Sequence, residues 1–241
     1  MSHFAPRLSL AAAAVTACFA VAPAHAQVVN YSVDGTVANI AALADPFLSG
    51  ADMSGISVRA TFSGGTSEIR SWATTGPEAG GVTGTGWSLS LSGLSGNTSW
   101  VFDFGPKSSL GQLEQLVLNS TTVLTVFDRS APDPGTPGSD IGWDFSFAGG
   151  TCTGCLANAT YGFATSVGSA AAAGDLYQSL TVNFIKGSGP SDDWRFFQDT
   201  DGVAPSVPEP GTYALMLGGL GIIGWLGQRR RKASPMSPRL G

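Results

Sequence analysis

The chain has 241 residues, 33 of them glycine, with 12% charged residues and a net charge of −5. Within residues 27–205, six basic side chains stand against sixteen acidic ones; without a basic face to displace counterions, nucleic acid is excluded as a partner. Both histidines, His3 and His25, precede that stretch, so it has no imidazole for a Ser-His-Asp or Cys-His system or for His-ligated zinc.

At the N-terminus, Arg7 precedes an apolar run over residues 8–22 that includes Ala11 to Ala14 and ends at Pro23-Ala24-His25-Ala26. A cationic start, an apolar stretch of this length and a small-x-small end are the parts of a secretory signal peptide. Residues 1–26 are therefore expected to engage the Sec translocon, with signal peptidase cutting between Ala26 and Gln27.

Residues 27–205 form the expected exported domain, long enough for one core. Trp87-Ser88-Leu89-Ser90-Leu91-Ser92 and Leu180-Thr181-Val182-Asn183-Phe184 alternate apolar and polar residues, and Val58-Arg59-Ala60-Thr61-Phe62 does so more weakly. Period 2 predicts strands with one buried face. Further strands are predicted over 28–37, 68–72, 99–104, 113–119, 123–127, 141–147, 159–167 and 193–198. Ser63-Gly64-Gly65, Gly80-Gly81, Ser92-Gly93 and Pro132-Asp133-Pro134-Gly135 read as breakers between them. Residues 170–173 read as a loop. Ten or eleven short strands without a helix predict an all-β fold, an antiparallel β-sandwich or jelly-roll-like domain.

Cys18 falls in the signal peptide, which leaves Cys152-Thr153-Gly154-Cys155. In an oxidising compartment this pair is expected to close a local disulfide. A redox role needs a helix N-terminus at the first cysteine, and zinc needs two further ligands. Acidic residues gather at Asp133, Asp140 and Asp144, and again at Asp192, Asp193, Asp199 and Asp201. Asp199-Thr200-Asp201-Gly202 has the opening spacing of a calcium loop but lacks the later ligands and the distal Glu, so Asp199 and Asp201 are weak calcium candidates. Solvated loop acids are the default reading, and neither metal nor cofactor is expected. A glycosidase needs two carboxyls across a cleft, and the sequence nominates no pair. Trp72, Trp87, Trp100, Trp143 and Trp194 lie in or beside predicted strands, which favours core packing over a sugar-stacking face. Two or more of them exposed on one face would favour carbohydrate binding.

The C-terminal segment, residues 206–232, has three parts. Val207-Pro208-Glu209-Pro210-Gly211 is followed by an uncharged stretch over 212–227 and then by Arg229-Arg230-Arg231-Lys232. Sixteen helical residues reach about 24 Å, short for a bilayer core but workable with interfacial help. Tyr213 and Trp225 lie near its ends, where amphipathic rings prefer the headgroup region. The four cations are expected to remain cytoplasmic, together with the tail 233–241. The predicted layout is a signal peptide, an external domain and a single transmembrane helix.

These C-terminal residues resemble the PEP-CTERM sorting signal of Gram-negative bacteria, a segment also called an ice-binding-protein C-terminal domain, a name that carries no evidence of ice binding. Pro208, Glu209 and Pro210 match its triplet residue by residue; the tail after the basic cluster is longer than such signals usually carry. The resemblance implies processing near the triplet by exosortase, a membrane-embedded cysteine transpeptidase-like enzyme. It also implies passage through the inner membrane as a single-pass intermediate with the domain in the periplasm, then delivery to the cell surface. Such proteins typically accompany exopolysaccharide production, biofilm or floc formation.

The passenger resembles, more loosely, a recurrent type of PEP-CTERM protein with no assigned activity. The matching stretches include Leu48 to Gly55, Gly84 to Leu89, Thr125 to Asp128, Thr136 to Ser139, Asp175 to Phe184 and Phe196 to Asp201. The expected function is that of a non-enzymatic protein of the extracellular polysaccharide matrix. The alternatives are a carbohydrate-binding module and a His-independent carboxylate glycoside hydrolase.

Overall fold

The structure, a computed structural model, describes residues 28–31, 37–105, 109–130, 135–139, 142–150, 156–186, 193–205, 215–223 and 225. These contain sixteen strands. The first eight are β1 (Val28–Tyr31), β2 (Ala38–Ile40), β3 (Leu43–Asp45), β4 (Ser57–Phe62), β5 (Ser67–Ser71), β6 (Ala73–Thr74), β7 (Ala79–Gly84) and β8 (Trp87–Ser92). They are followed by β9 (Trp100–Phe104), β10 (Leu113–Asn119), β11 (Thr125–Asp128), β12 (Ser146–Gly150), β13 (Leu156–Val167), β14 (Leu176–Lys186), β15 (Asp193–Phe197) and β16 (Asp199–Val203). The all-β expectation holds, and no described residue of the 27–205 domain is α-helical.

The strands make two sheets. The smaller is wholly antiparallel, in the order β12-β15-β9-β8-β7-β6. The larger is built around β14. One edge of β14 pairs with β13; the other pairs with β10 along Ser179–Asn183 and then with β11 at Leu176 and Tyr177. From β10 the sheet continues to β4 and β5, and from β11 to β16 and β3. The pairings of β1 and β2 with β13 are parallel, so antiparallel order is not complete.

Alternation explains which faces meet. Val58, Ala60 and Phe62 of β4, Leu116 and Leu118 of β10, and Leu180 and Val182 of β14 share one buried cluster with residues of the smaller sheet. From the smaller sheet come Trp87, Leu89 and Leu91 of β8, Phe102 of β9, and Trp194 and Phe196 of β15. Aromatic rings line this interior. Phe102 stacks on Trp87 and on Trp194, each at 5.6 Å, and Phe184 of the larger sheet meets Trp194 edge-on at 4.8 Å. Such payloads of buried aromatic surface dominate core energetics. Trp72, Trp87, Trp100 and Trp194 are all buried, whereas Trp143 is 49% exposed and tilts against Phe197. Among the described residues, these tryptophans therefore do not share an exposed sugar-stacking face.

Two sequence readings need correction. Gly80-Gly81, expected to break the chain, lies inside β7. A Cβ on Gly80 would stand 1.9 Å from the Gly50 carbonyl oxygen and 2.3 Å from Trp72 Nε1, so these glycines serve close approach, not a turn. The strand expected over 141–147 is displaced to β12. Side chains take the backbone groups of the preceding residues: Phe145 N–H donates to the Tyr161 hydroxyl (2.7 Å), and the Trp143 carbonyl accepts from Gln198 Nε2 (3.2 Å).

Residues 215–223 and 225 are helical and expose Leu215, Met216, Leu217, Ile222 and Ile223. No helix among the described residues is long and apolar enough to cross a membrane.

Candidate functional site

The pairing of β11 with β16 sets Asp128 directly opposite Asp199, with Asp201 two residues further along the same face. Period 2 sends Phe127 and Thr200 the other way. Phe127 joins the main core, and Thr200 Oγ1 lies 4.0 Å from Met53 Sδ. The carboxylate face also carries Val126 and Val203, which join Ile40 and Leu176 in a second small apolar cluster. Asp128, Asp199 and Asp201 are consequently buried, at 1%, 0% and 0% exposure. The default reading of Asp199 and Asp201 as solvated loop acids is thus overturned. They occupy a strand whose two faces are both covered.

Three further segments close over the carboxylates. Ser95 Oγ donates to Asp199 Oδ1 (2.9 Å), and the N–H of Thr200 donates to the same oxygen (2.8 Å). Ser139 Oγ lies 2.6 Å from Asp128 Oδ2 and 2.9 Å from Asp201 Oδ2. Gly142 passes so near Asp128 that a Cβ there would meet its carboxylate atoms at 2.5–2.6 Å. Beside the trio, Asp175 accepts from Thr136 Oγ1 (2.7 Å), from the N–H of Thr136 and from the N–H of Leu176 (3.0 Å). Gln198 Nε2 ties the elements together through the carbonyls of Asp128, Trp143 and Asp199 at 2.9–3.2 Å, and its Oε1 accepts from the Tyr161 hydroxyl. Arg129 is held by Asp144 (2.9 Å) and the Gly174 carbonyl (3.1 Å), with its guanidinium over the rings of Tyr161 and Tyr177 at 5.5 and 5.9 Å.

Burial without water raises a carboxyl pKa, and like charges raise it further. Burial, then the neighbouring carboxylates of Asp199 and Asp175, push Asp128 up to about 7, with the Ser139 hydroxyl pulling the other way. Burial and the Asp128 charge, with smaller contributions from Asp199 and Asp175, push Asp201 up to about 8. A hydroxyl has one proton and can donate to one carboxylate at a time. The Ser139 hydroxyl, within reach of both Asp128 and Asp201, can therefore serve only one of the two at a time. One oxygen from each of Asp128, Asp199 and Asp201 lies within 4.8 Å of the others, a spacing that can hold a metal ion.

The C-terminal segment carries a different signal. Residues 206–232 match the family model of the PEP-CTERM protein-sorting motif. The PEP-CTERM motif implies exosortase-dependent sorting of an exported protein toward the cell surface, with exosortase as the processing partner. No curated protein and no solved structure matches the chain.

Of the site residues expected from sequence, Asp199 and Asp201 are brought together with each other and with Asp128, which the sequence reading missed. Asp144 pairs with Arg129, and Asp193 with Arg195 at 3.6 Å, so neither is placed in this cluster. The sorting triplet Pro208, Glu209 and Pro210 and the basic residues Arg229, Arg230, Arg231 and Lys232 lie outside the described residues. So do the cleavage pair Ala26 and Gln27, the cysteines Cys152 and Cys155, and Asp133, Asp140 and Asp192. The signal that could have found Asp128 was present in the passenger's own resemblance. Four of the stretches that carry it, containing Asp128, Ser139, Asp175 and the Asp199–Asp201 pair, converge on this one cluster.

Proposed function

We propose that this chain is an exported, exosortase-processed, non-enzymatic β-sandwich protein that works in the extracellular polysaccharide layer. The observation that carries the proposal is the PEP-CTERM motif at residues 206–232, immediately after an all-β domain. The signal peptide over 1–26 delivers the chain to the Sec translocon. The apolar span over 212–227 then holds it in the inner membrane, with Arg229–Arg231 and Lys232 on the cytoplasmic side. The large apolar side chains exposed on the helix at 215–223 suit contact with lipid. In this topology Pro208-Glu209-Pro210 comes to the outer membrane–water boundary, within reach of a membrane-embedded processing enzyme.

A passive role is supported by the chemistry of the domain. Residues 27–205 contain no histidine, and the clustered carboxylates lie under backbone, where a polysaccharide does not reach them. The net negative domain, rich in Ser and Thr, suits a hydrated matrix. The test replaces Pro208, Glu209 and Pro210 together by alanine in the native host and follows the protein by fractionation. The wild type is expected in the surface and matrix fraction and the triple variant in the inner membrane. Equal distribution of the two overturns the sorting reading, and hydrolysis of any member of a polysaccharide panel overturns the non-enzymatic one.

A further inference from the structure

We propose that Asp128, Asp199 and Asp201, with the Ser139 hydroxyl, bind one calcium ion that fastens β11, β16 and the segment bearing Ser139 to one another. Two independent observations meet here. The first is geometric: three carboxylates from two paired strands each place an oxygen within 4.8 Å of the others. The second is a deficit in hydrogen bonding. Asp128 Oδ1 and Asp201 Oδ1 are buried and have no hydrogen-bond partner among the described residues, in side chains that are 1% and 0% exposed. A buried carboxylate oxygen without a donor is expensive, and two of them belong to this one cluster. A cation meets both needs at once, supplying opposite charge and a partner for the unpartnered oxygens.

The donor set selects the ion. Every available ligand atom is a hard oxygen, which suits calcium, magnesium or manganese over zinc or copper. Calcium accepts six to eight oxygens in flexible geometry, whereas magnesium gives up its water reluctantly and usually keeps several molecules of it. Gly142 passing against the Asp128 carboxylate and Gly96, whose Cβ position lies 3.2 Å from Asp199 Oδ1, leave little room for a hydration shell. Calcium fits this dry, carboxylate-rich setting better. Delivery to the cell exterior, where calcium is plentiful, rests on the export reading; binding of the ion does not.

The experiment uses the full chain in mild detergent, stripped of metal on a chelating resin, with calcium chloride as the probe and magnesium chloride as the comparator. Equilibrium dialysis is expected to give one calcium per chain. Calcium at a hundredfold excess over its Kd is expected to raise Tm by about 5–10 °C. Asp201→Asn and Asp128→Asn keep the side-chain shape and remove one charge each; both are expected to stay folded without metal and to bind calcium at least about tenfold more weakly. Should either fail to fold, Ser139→Ala, which keeps all three carboxylates, is expected to weaken binding several-fold. The proposal is overturned if the wild type takes up no calcium at millimolar concentration, if magnesium binds as well, or if the variants bind like the wild type. None of these outcomes depends on whether exosortase processes the chain, so this reading and the sorting reading fail separately.

Discussion

Replacing Gly80 by alanine tests the packing of β7 against the Gly50 turn. The new methyl group would lie 1.9 Å from the Gly50 carbonyl oxygen and 2.3 Å from Trp72 Nε1. Neither atom is the end of a flexible side chain: one is backbone and the other belongs to an indole that is 1% exposed. The strand must move away, and the 2.7 Å bond from Trp72 Nε1 to the Gly50 carbonyl is lost. Overpacking costs about 1–3 kcal/mol, and stranding a buried donor and acceptor adds about 1–3 kcal/mol. The expected destabilisation is therefore about 4 kcal/mol, or a Tm lower by roughly 8–16 °C for a domain of this size. Gly64→Ala is the control, because no atom lies within 4 Å of its Cβ position and its φ is not left-handed; it is expected to change stability by less than about 0.5 kcal/mol. Urea unfolding followed by tryptophan fluorescence reads both. A Gly80→Ala variant within about 1 kcal/mol of wild type would refute the close-approach reading.

The metal-free chain should lose stability as pH rises. Asp128 and Asp201 move from an ordinary 3.8 up to about 7 and about 8. Between those limits the folded state holds protons that the unfolded chain releases, so the free energy of unfolding falls with rising pH. Melting in the presence of a chelator is expected at a lower temperature near about pH 9 than near about pH 5, and Asp201→Asn is expected to flatten the slope. A flat wild-type profile would contradict the burial of these acids. In the core, Trp194→Ala is expected to cost about 3–5 kcal/mol, because the ring touches Phe102, Phe184 and Phe196 at 4.8–5.6 Å. Trp143→Ala, at a half-exposed position, should change stability by less than about 1 kcal/mol; equal urea midpoints for the two variants would contradict the assignment of inside and outside.

The alternating runs were legible. β8 has the bounds that its period 2 predicts and β10 those expected over 113–119; each turns one face to the aromatic core while the other stays more open. What the sequence hid has three physical origins. The strands β2, β3 and β6 have two or three residues, too few for any period to show. In β7 the glycine pair signals a turn by composition, yet its lack of side chains is what lets two backbones touch. In β16 all five residues are buried, so no alternation marks it, and two aspartates advertise a solvated loop where a strand lies. Asp128 reads as the polar end of an apolar run. Only the register of β11 against β16 and β14, a long-range property, reveals that it faces Asp199 and Asp201.

The central claim, export followed by exosortase processing, is tested most directly by the intact mass of the protein recovered from the native host's surface, compared with a strain lacking exosortase. A C-terminus near Pro208 to Gly211 in the wild type, with the full tail kept in the mutant, is the predicted result. Retention of Arg229–Arg231 and Lys232 in both strains would contradict the account and make the chain a permanently anchored membrane protein.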